Sequence, residues 1–209
     1  PLQQTTTPPP LPSCFSLCAL QISSMSYGFI MSSWTTVILP DELSRMYPKD
    51  ARHALLLAAF VGAMALMRLA TPTMAAVAAY GGKGDMLPLL RRWQRPLVLW
   101  GSMATSWILV LLWAASEYRW YRLYAPFAAA SMGLYHVVYA AASATVAIAT
   151  LGTHNQQICH DSFIALDATS GVRHASGVML GYIVTGFLEN VRDAYPCYAL
   201  VTFASALIT

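Results

Sequence analysis

The sequence predicts an all-α fold, a polytopic transmembrane bundle of about six helices, and two observations lead to that prediction. Hydrophobic residues make up 57% of the chain and charged residues only 10%. An ordinary soluble domain carries roughly 25% charged residues. The charges also fall in clusters, so that long uncharged segments separate them. Because roughly 20 helical residues cross the hydrocarbon core of a bilayer, these segments are long enough to span a membrane.

Four segments predict spans with at most one charge each, and two shorter segments near the C-terminal end predict two more. The predicted spans are Ser13–Leu39, His53–Gly82, Pro96–Ser116, Leu123–His160, Ala175–Leu188 and Ala194–Thr209. Residues 1–13 predict a flexible arm rich in Pro and Thr, and residues 14–209 predict the bundle. Because the sequence begins with Pro, we expect a chain that was cleaved or only partly defined, and a removed targeting peptide is one explanation. The sixth span is still apolar where the sequence stops, so we expect it to be cut there.

The charged connections between the spans predict short loops. These are residues 41–50, 83–95 and 117–122, together with the polar stretch 152–171. The third connection carries a cluster of aromatic residues that is typical of the headgroup level of a bilayer: Tyr118, Trp120, Tyr121 and Tyr124. The arginines of the second connection favour its placement on the cytoplasmic or stromal side.

The composition also excludes several classes of protein. Twelve Lys and Arg against nine Asp and Glu give a net charge of +3, with no basic patch interleaved with aromatic residues, so we expect no nucleic-acid partner. The sequence contains no hydrolase triad, no phosphate-binding loop of the required spacing and no paired carboxylates. We therefore predict a protein that is not an enzyme.

Two residues inside predicted spans are candidate functional residues. Arg68 is the one charge at predicted membrane depth, where a charge is costly. It could bind an anionic substrate or pair with a carboxylate, or instead meet carbonyls or extend to headgroups. His136 lies in the middle of the fourth span. Its imidazole could ligate the magnesium of a chlorophyll or the iron of a haem, or relay protons, or simply form a hydrogen bond between helices.

Three weaker patterns complete the candidates. His154, Cys159, His160 and Asp161 are of the types that bind zinc, but their spacing matches no known site, so we predict no metal. Gly177-x-x-x-Gly181 is a small-residue motif that predicts close helix packing. The first span is polar without charge, and its residues would either line a cavity or bond across helices and to their own backbone: Gln21, Ser23, Ser24, Ser26, Ser32, Ser33, Thr35 and Thr36.

A set of short motifs occurs in a characteristic order along the chain. They are Leu39-Pro40-Asp41-Glu42, Leu69-Ala70-Thr71-Pro72, Asp85 with Arg91-Arg92-Trp93-Gln94-Arg95-Pro96, Ala165-Leu166-Asp167, and Arg173-His174-Ala175-Ser176-Gly177. This order resembles the N-terminal half of a major facilitator superfamily transporter of the sugar–cation symporter-like branch, with Gln94 and His174 where the family has glycine. The resemblance implies a gating role for the loop residues Asp85, Arg91, Arg92 and Arg95. It also implies a substrate site between two six-helix halves.

Two functions follow as hypotheses. The first is an accessory, structural subunit of a larger membrane complex, photosynthetic or respiratory, in a thylakoid or mitochondrial inner membrane. It would have a transporter-derived fold and contact lipid, chlorophyll or carotenoid. The alternative is half of a secondary active transporter for a small polar solute, which would require a second half. The half-sized chain favours the first, since one half alone cannot alternate access.

Overall fold

The computed structural model describes residues 14–47, 54–63, 65–66, 86–151 and 156–208. Side-chain environments are described for residues 22–47, 54–63, 65–66, 96–120, 122–143 and 171–208. Throughout these residues every regular element is a helix, which confirms the predicted all-α class. In chain order the α-helices are α1 (Cys14–Ser33), α2 (Leu39–Met46), α3 (Ala54–Ala63), α4 (Met86–Glu117), α5 (Tyr121–Leu151), α6 (Gln156–Phe187) and α7 (Ala194–Ile208).

The first predicted span is followed directly by further helix, because α1 and α2 are joined by a π-helical segment, Trp34–Ile38. The N–H of Leu39 donates to the carbonyl of Trp34, five residues back. Pro40 follows at once, and a proline has no N–H to donate and its ring collides with the carbonyl four residues earlier. A widened turn just before Pro40 accommodates that ring without ending the helix.

Three predicted loops are wrong in part, since helix extends into them. Residues 41–46 belong to α2, α4 begins at Met86 rather than at Pro96, and α6 begins at Gln156. Arg91, Arg92 and Arg95 are therefore helical positions, not loop positions. The physical reason is that a cluster of charges indicates the end of an apolar segment, not the end of a helix. Arginine is a good helix former, so the helix continues through such a cluster.

Three helix pairs organise the bundle: α1 lies along α6, and α4 packs against both α5 and α7. The α1–α6 crossing is close because glycines line it. A Cβ added at Gly177 would collide with the carbonyl oxygen of Met25, and one added at Gly181 would collide with that of Phe29. On the facing helix, a Cβ at Gly28 would collide with the carbonyl oxygen of His174. The close packing predicted from Gly177-x-x-x-Gly181 is confirmed.

The largest fully buried side chains lie where α1, the π-helical segment, α4, α5 and α7 meet. They include Trp34, Tyr124, Tyr195, Tyr198 and Ile30. Many of them are aromatic with a polar tip, so hydroxyl groups enter the core together with the rings. Such groups need hydrogen-bond partners when they are buried.

One helical stretch among the described residues is long and apolar enough to cross a membrane. It is Pro96–Glu117 of α4, with a mean hydropathy of 1.8 in its most apolar window. It matches the third predicted span closely. Among the described residues the remaining predicted spans do not meet the same criterion, so the six-span arrangement is not shown by the fold.

Candidate functional site

His136 lies in α5 and is 2% exposed, with both ring nitrogens in hydrogen bonds. Its Nδ1 lies 2.9 Å from the carbonyl oxygen of Met132, one turn earlier. A carbonyl can only accept, so Nδ1 carries the proton of the neutral ring. Nε2 is then an acceptor, and the hydroxyl of Tyr27 on α1 donates to it at 2.8 Å. The histidine thus links α1 to α5.

Aromatic rings surround the Tyr27–His136 pair. The ring of Tyr139 stacks on that of Tyr27 with centroids 4.0 Å apart and an interplanar angle of 14°. The rings of Tyr135 and His174 lie 5.7 Å and 5.9 Å from the Tyr27 ring. We call these five residues, from α1, α5 and α6, the Tyr27 cluster.

The hydrogen bond between Tyr27 and Nε2 of His136 competes with the predicted role of His136 as a ligand. Ligation of a magnesium or iron ion needs a ring nitrogen with a free lone pair, and here the Nε2 lone pair accepts from Tyr27. A pigment or haem could bind only after that bond breaks. The geometry corresponds to the other interpretation drawn from the sequence, a histidine that hydrogen-bonds between helices, and the ligand role stays a prediction.

A second polar cluster joins α2 to α4. The side chain of Glu42 is 2% exposed, and its Oε2 accepts from Arg45 at 2.9 Å and from the Ser116 hydroxyl at 2.6 Å. Arg45 also donates to the Ser116 carbonyl at 2.9 Å. The hydrogen bond to Glu42 raises the pKa of the Arg45 guanidinium, and the partial burial of Arg45 lowers it by a smaller amount. We call Glu42, Arg45 and Ser116 the Glu42 cluster.

Sequence reasoning missed the Glu42 cluster, because it placed residues 41–50 in a loop. One local signal was available: Glu42 and Arg45 are three residues apart, the spacing of an ion pair on a helix. The burial of Glu42 had no local signal, since its partner Ser116 is 74 positions away.

Tyrosine hydroxyls make two further contacts between helices. The hydroxyls of Tyr124 and Tyr195 lie 2.5 Å apart and join α5 to α7. The Ser33 hydroxyl donates to the carbonyl of Phe29, so it accepts from Tyr198 at 2.5 Å, and this joins α1 to α7. These contacts satisfy polar groups that the core buries.

Several polar residues of the first span are buried or form hydrogen bonds within the protein. Ser23, Ser24, Ser26 and Ser33 are buried within the bundle. Thr35 and Thr36 donate to backbone carbonyls one turn back, at 2.6 Å and 2.8 Å. For Ser33, Thr35 and Thr36 the structure therefore shows bonding to the backbone and across helices.

The structure describes the remaining predicted site residues only in part. Arg68, Asp85 and His154 lie outside the described residues. The helical backbone at Arg91, Arg92, Arg95, Cys159, His160 and Asp161 is described, but their side-chain environments are not. Among the described residues, no group of three or more His, Cys, Asp or Glu side chains could hold a metal ion.

Several outward helix faces in the part of the chain that the structure describes are apolar. Large hydrophobic side chains point away from the core on α3, α4, α6 and α7, with Trp107 69% exposed and Phe187 85% exposed. On α4 the exposed residues Trp100, Ala104, Trp107 and Leu111 recur at helical spacing along one face. We call these four residues the α4 face.

No protein-family model, no curated protein and no solved structure matches this chain. The class that the fold itself defines is therefore an all-helical bundle with apolar outer faces and buried polar links. The likeness to major facilitator transporters remains a hypothesis from sequence motifs.

Proposed function

We propose that this chain is a multi-pass integral membrane protein, without enzymatic activity, that serves as a structural subunit of a larger membrane complex. We further propose a major-facilitator-derived fold, partners among lipids and other membrane subunits, and a photosynthetic or respiratory complex of an organellar membrane as its setting. The observation that supports the proposal best is the apolar outer surface, and above all the α4 face.

The first step of the argument concerns the membrane. Soluble monomers rarely expose contiguous apolar patches larger than a few hundred Å². Here Leu55, Trp107, Met179, Phe187 and Leu200 are all more than 60% exposed, on four different helices. Lipid acyl chains would cover such surfaces on every side of the bundle, and no surface charge would be needed there.

The second step concerns the interior. A carrier needs polar groups that face a solute, whereas here Tyr27 bonds His136, Ser33 bonds Tyr198, and the Ser106 hydroxyl donates to the carbonyl of Ala199 at 2.8 Å. These polar groups are occupied by one another. Interhelical hydrogen bonds of this kind hold helices in fixed positions in a membrane. A rigid bundle suits a scaffold better than it suits a moving carrier.

The third step concerns the surface that a partner would use. Tryptophan is enriched among the residues that dominate binding energies at interfaces. Trp100 and Trp107 lie two turns apart on the α4 face with the small Ala104 between them. A small residue between two exposed tryptophans would let a helix of a neighbouring subunit approach closely.

The test is native electrophoresis after mild detergent extraction of the source membranes, with an absorbance spectrum of the band. We expect the chain in a band much larger than its 22.7 kDa, and Trp100→Leu with Trp107→Leu to release it from that band. The replacements stay apolar, so membrane insertion is preserved. The control is Phe187→Leu, on an exposed position of α6, which we expect to leave the band unchanged. Migration of the wild type as a free chain would contradict the proposal.

A second candidate, half of a secondary transporter for a small polar solute, is favoured by the Glu42 cluster. Glu42 is a buried carboxylate paired with a partly exposed arginine, and buried charged pairs are typical of the substrate and ion pathways of transporters. Under this candidate Glu42→Gln should abolish solute uptake while the protein still accumulates in membranes. Under assembly, uptake by the wild type should not exceed that of membranes lacking the chain.

A further inference from the structure

We propose that Tyr27 is a redox-active tyrosine, oxidised by one electron with transfer of its phenolic proton to His136. The proposal depends on the proposed assembly only for its oxidant, which a partner subunit would supply. It rests on the geometry of the Tyr27 cluster, which neither function requires.

The hydrogen bond already has the direction that the reaction needs. The Tyr27 hydroxyl donates to Nε2 of His136 at 2.8 Å, and Nδ1–H of the same ring donates to the Met132 carbonyl at 2.9 Å. In its neutral form the ring is correctly oriented to take up a second proton at Nε2. Tyr27 is 4% exposed, so bulk water does not compete for the proton.

The step balances as follows. One electron leaves the phenol for an oxidant, which is reduced by one electron. The O–H bond of Tyr27 breaks and a new N–H bond forms at Nε2 of His136. The products are a neutral tyrosyl radical and an imidazolium whose Nδ1–H still donates to Met132. The oxidant would be a strong one-electron acceptor of the porphyrin cation-radical class, supplied by a partner. When an electron returns, the proton moves back to the phenolate.

The neighbouring rings favour this chemistry. Tyr135 and Tyr139 both lie against the ring of Tyr27, with ring centroids 5.7 Å and 4.0 Å from it. Tyr139 stacks on Tyr27 at 4.0 Å and is half-buried, so it offers an electron path from the buried ring towards the surface. By contrast, Tyr198 bonds a serine hydroxyl, and a hydroxyl is a far weaker proton acceptor than imidazole.

The test uses the purified full chain in detergent, grown with ¹⁵N-labelled histidine and oxidised by flash-generated tris-bipyridine ruthenium(III). Electron paramagnetic resonance then detects radicals, and pulsed double resonance measures their coupling to nitrogen. We expect a neutral tyrosyl radical coupled to histidine ¹⁵N, formed more slowly in D₂O than in H₂O. A wild-type protein whose tyrosyl radicals show no histidine coupling would overturn the proposal. That result is decisive without any variant.

Variants assign the signal to one tyrosine. Tyr27→Phe keeps the stacked ring and removes only the hydroxyl, and we expect loss of the ¹⁵N-coupled radical. Tyr198→Phe is the matched control, because it removes a buried hydroxyl that has no imidazole partner, and it should retain the coupled radical. Persistence of the coupled signal in Tyr27→Phe would contradict the assignment.

Discussion

At the scale of single residues, the glycines of the α1–α6 crossing have the plainest physical role. Gly177 lies against the carbonyl of Met25, so no side chain fits there while the two helices keep their separation. Gly171 lies in the same helix with nothing within 4 Å of its added Cβ. Both glycines are helical, but only Gly177 is in tight contact with a neighbouring helix. Substitutions at the two positions therefore separate the effect of packing from that of helix propensity.

We expect Gly177→Ala to destabilise the bundle by roughly 1–3 kcal/mol, the usual cost of overpacking a tight contact. Gly171→Ala should instead stabilise it by about 0.5–1 kcal/mol, since alanine loses less backbone freedom in a helix. Thermal unfolding of both purified variants in one detergent measures the difference. Equal stability of the two would show that the crossing is looser than described.

The Glu42 cluster gives the second prediction at this scale. Removing the charge in Glu42→Gln leaves Arg45 without its ion-pair partner, and we expect a loss of about 1–3 kcal/mol, reduced from the fully buried case because Arg45 is 30% exposed. Asp41→Asn, at the exposed neighbouring position, should change stability little. Denaturation of both variants under the same conditions tests this. If Asp41→Asn lost as much stability as Glu42→Gln, the loss would come from removing a negative charge in this region and not from breaking the Glu42 cluster.

Several residue roles could be predicted from the sequence, and others could not. The close packing of Gly177 and Gly181 follows from a spacing within one helix, which is local information. Tyr27, which bonds His136, and Ser116, which bonds Glu42, lie 109 and 74 positions away in the chain, and no local pattern specifies such pairs. The sequence could therefore indicate a buried histidine but not which residue would occupy its Nε2.

At the scale of elements, the sequence predicted apolar segments well and helix ends poorly. Pro96 marks the start of the apolar stretch of α4, yet the helix begins ten residues earlier, at Met86. The proline removes one backbone donor but does not end a helix whose neighbours hold it. Hydropathy indicates which part of a helix lies in apolar surroundings. It does not predict the ends of the helix, which extends as far as its backbone hydrogen bonds can form.

The turn between α4 and α5 is a tight link with one strained residue. Arg119 has a φ of 55°, in the left-handed region that favours glycine. Its neighbours Tyr118 and Trp120 stack on each other at 5.7 Å, and beside the turn Arg192 pairs with Glu117 at 2.8 Å. These contacts hold the turn in place in spite of the strain.

We expect Arg119→Gly to be neutral or to stabilise the protein by up to about 1 kcal/mol, because glycine adopts this φ freely. Arg119→Val should destabilise it by roughly 1–2 kcal/mol, since a β-branched residue is the least suited to positive φ. Parallel thermal melts of the two variants measure the order. A valine variant as stable as the glycine variant would show that the turn adopts another conformation.

At the scale of the whole molecule, an interior linked by polar contacts is combined with outer helix faces that are apolar. Polar links between α1 and α5, α1 and α7, α2 and α4, and α5 and α7 tie the helices together. The outer faces carry tryptophan, leucine and phenylalanine. Such a molecule is stable in lipid, where its interior bonds strengthen and its surface needs no water.

The central claim is that the α4 face lies at membrane depth, where lipid contacts it when no partner subunit is present, and spin-label accessibility tests this most directly. In a background with Cys14, Cys18, Cys159 and Cys197 replaced by alanine, a label is attached at Trp107→Cys or at Arg119→Cys and the protein is reconstituted in liposomes. We predict that the label at position 107 collides more with oxygen, which concentrates in lipid, than with a water-soluble nickel chelate. The label at position 119, in the turn, should show the reverse. Greater access of the nickel chelate to position 107 would contradict the account.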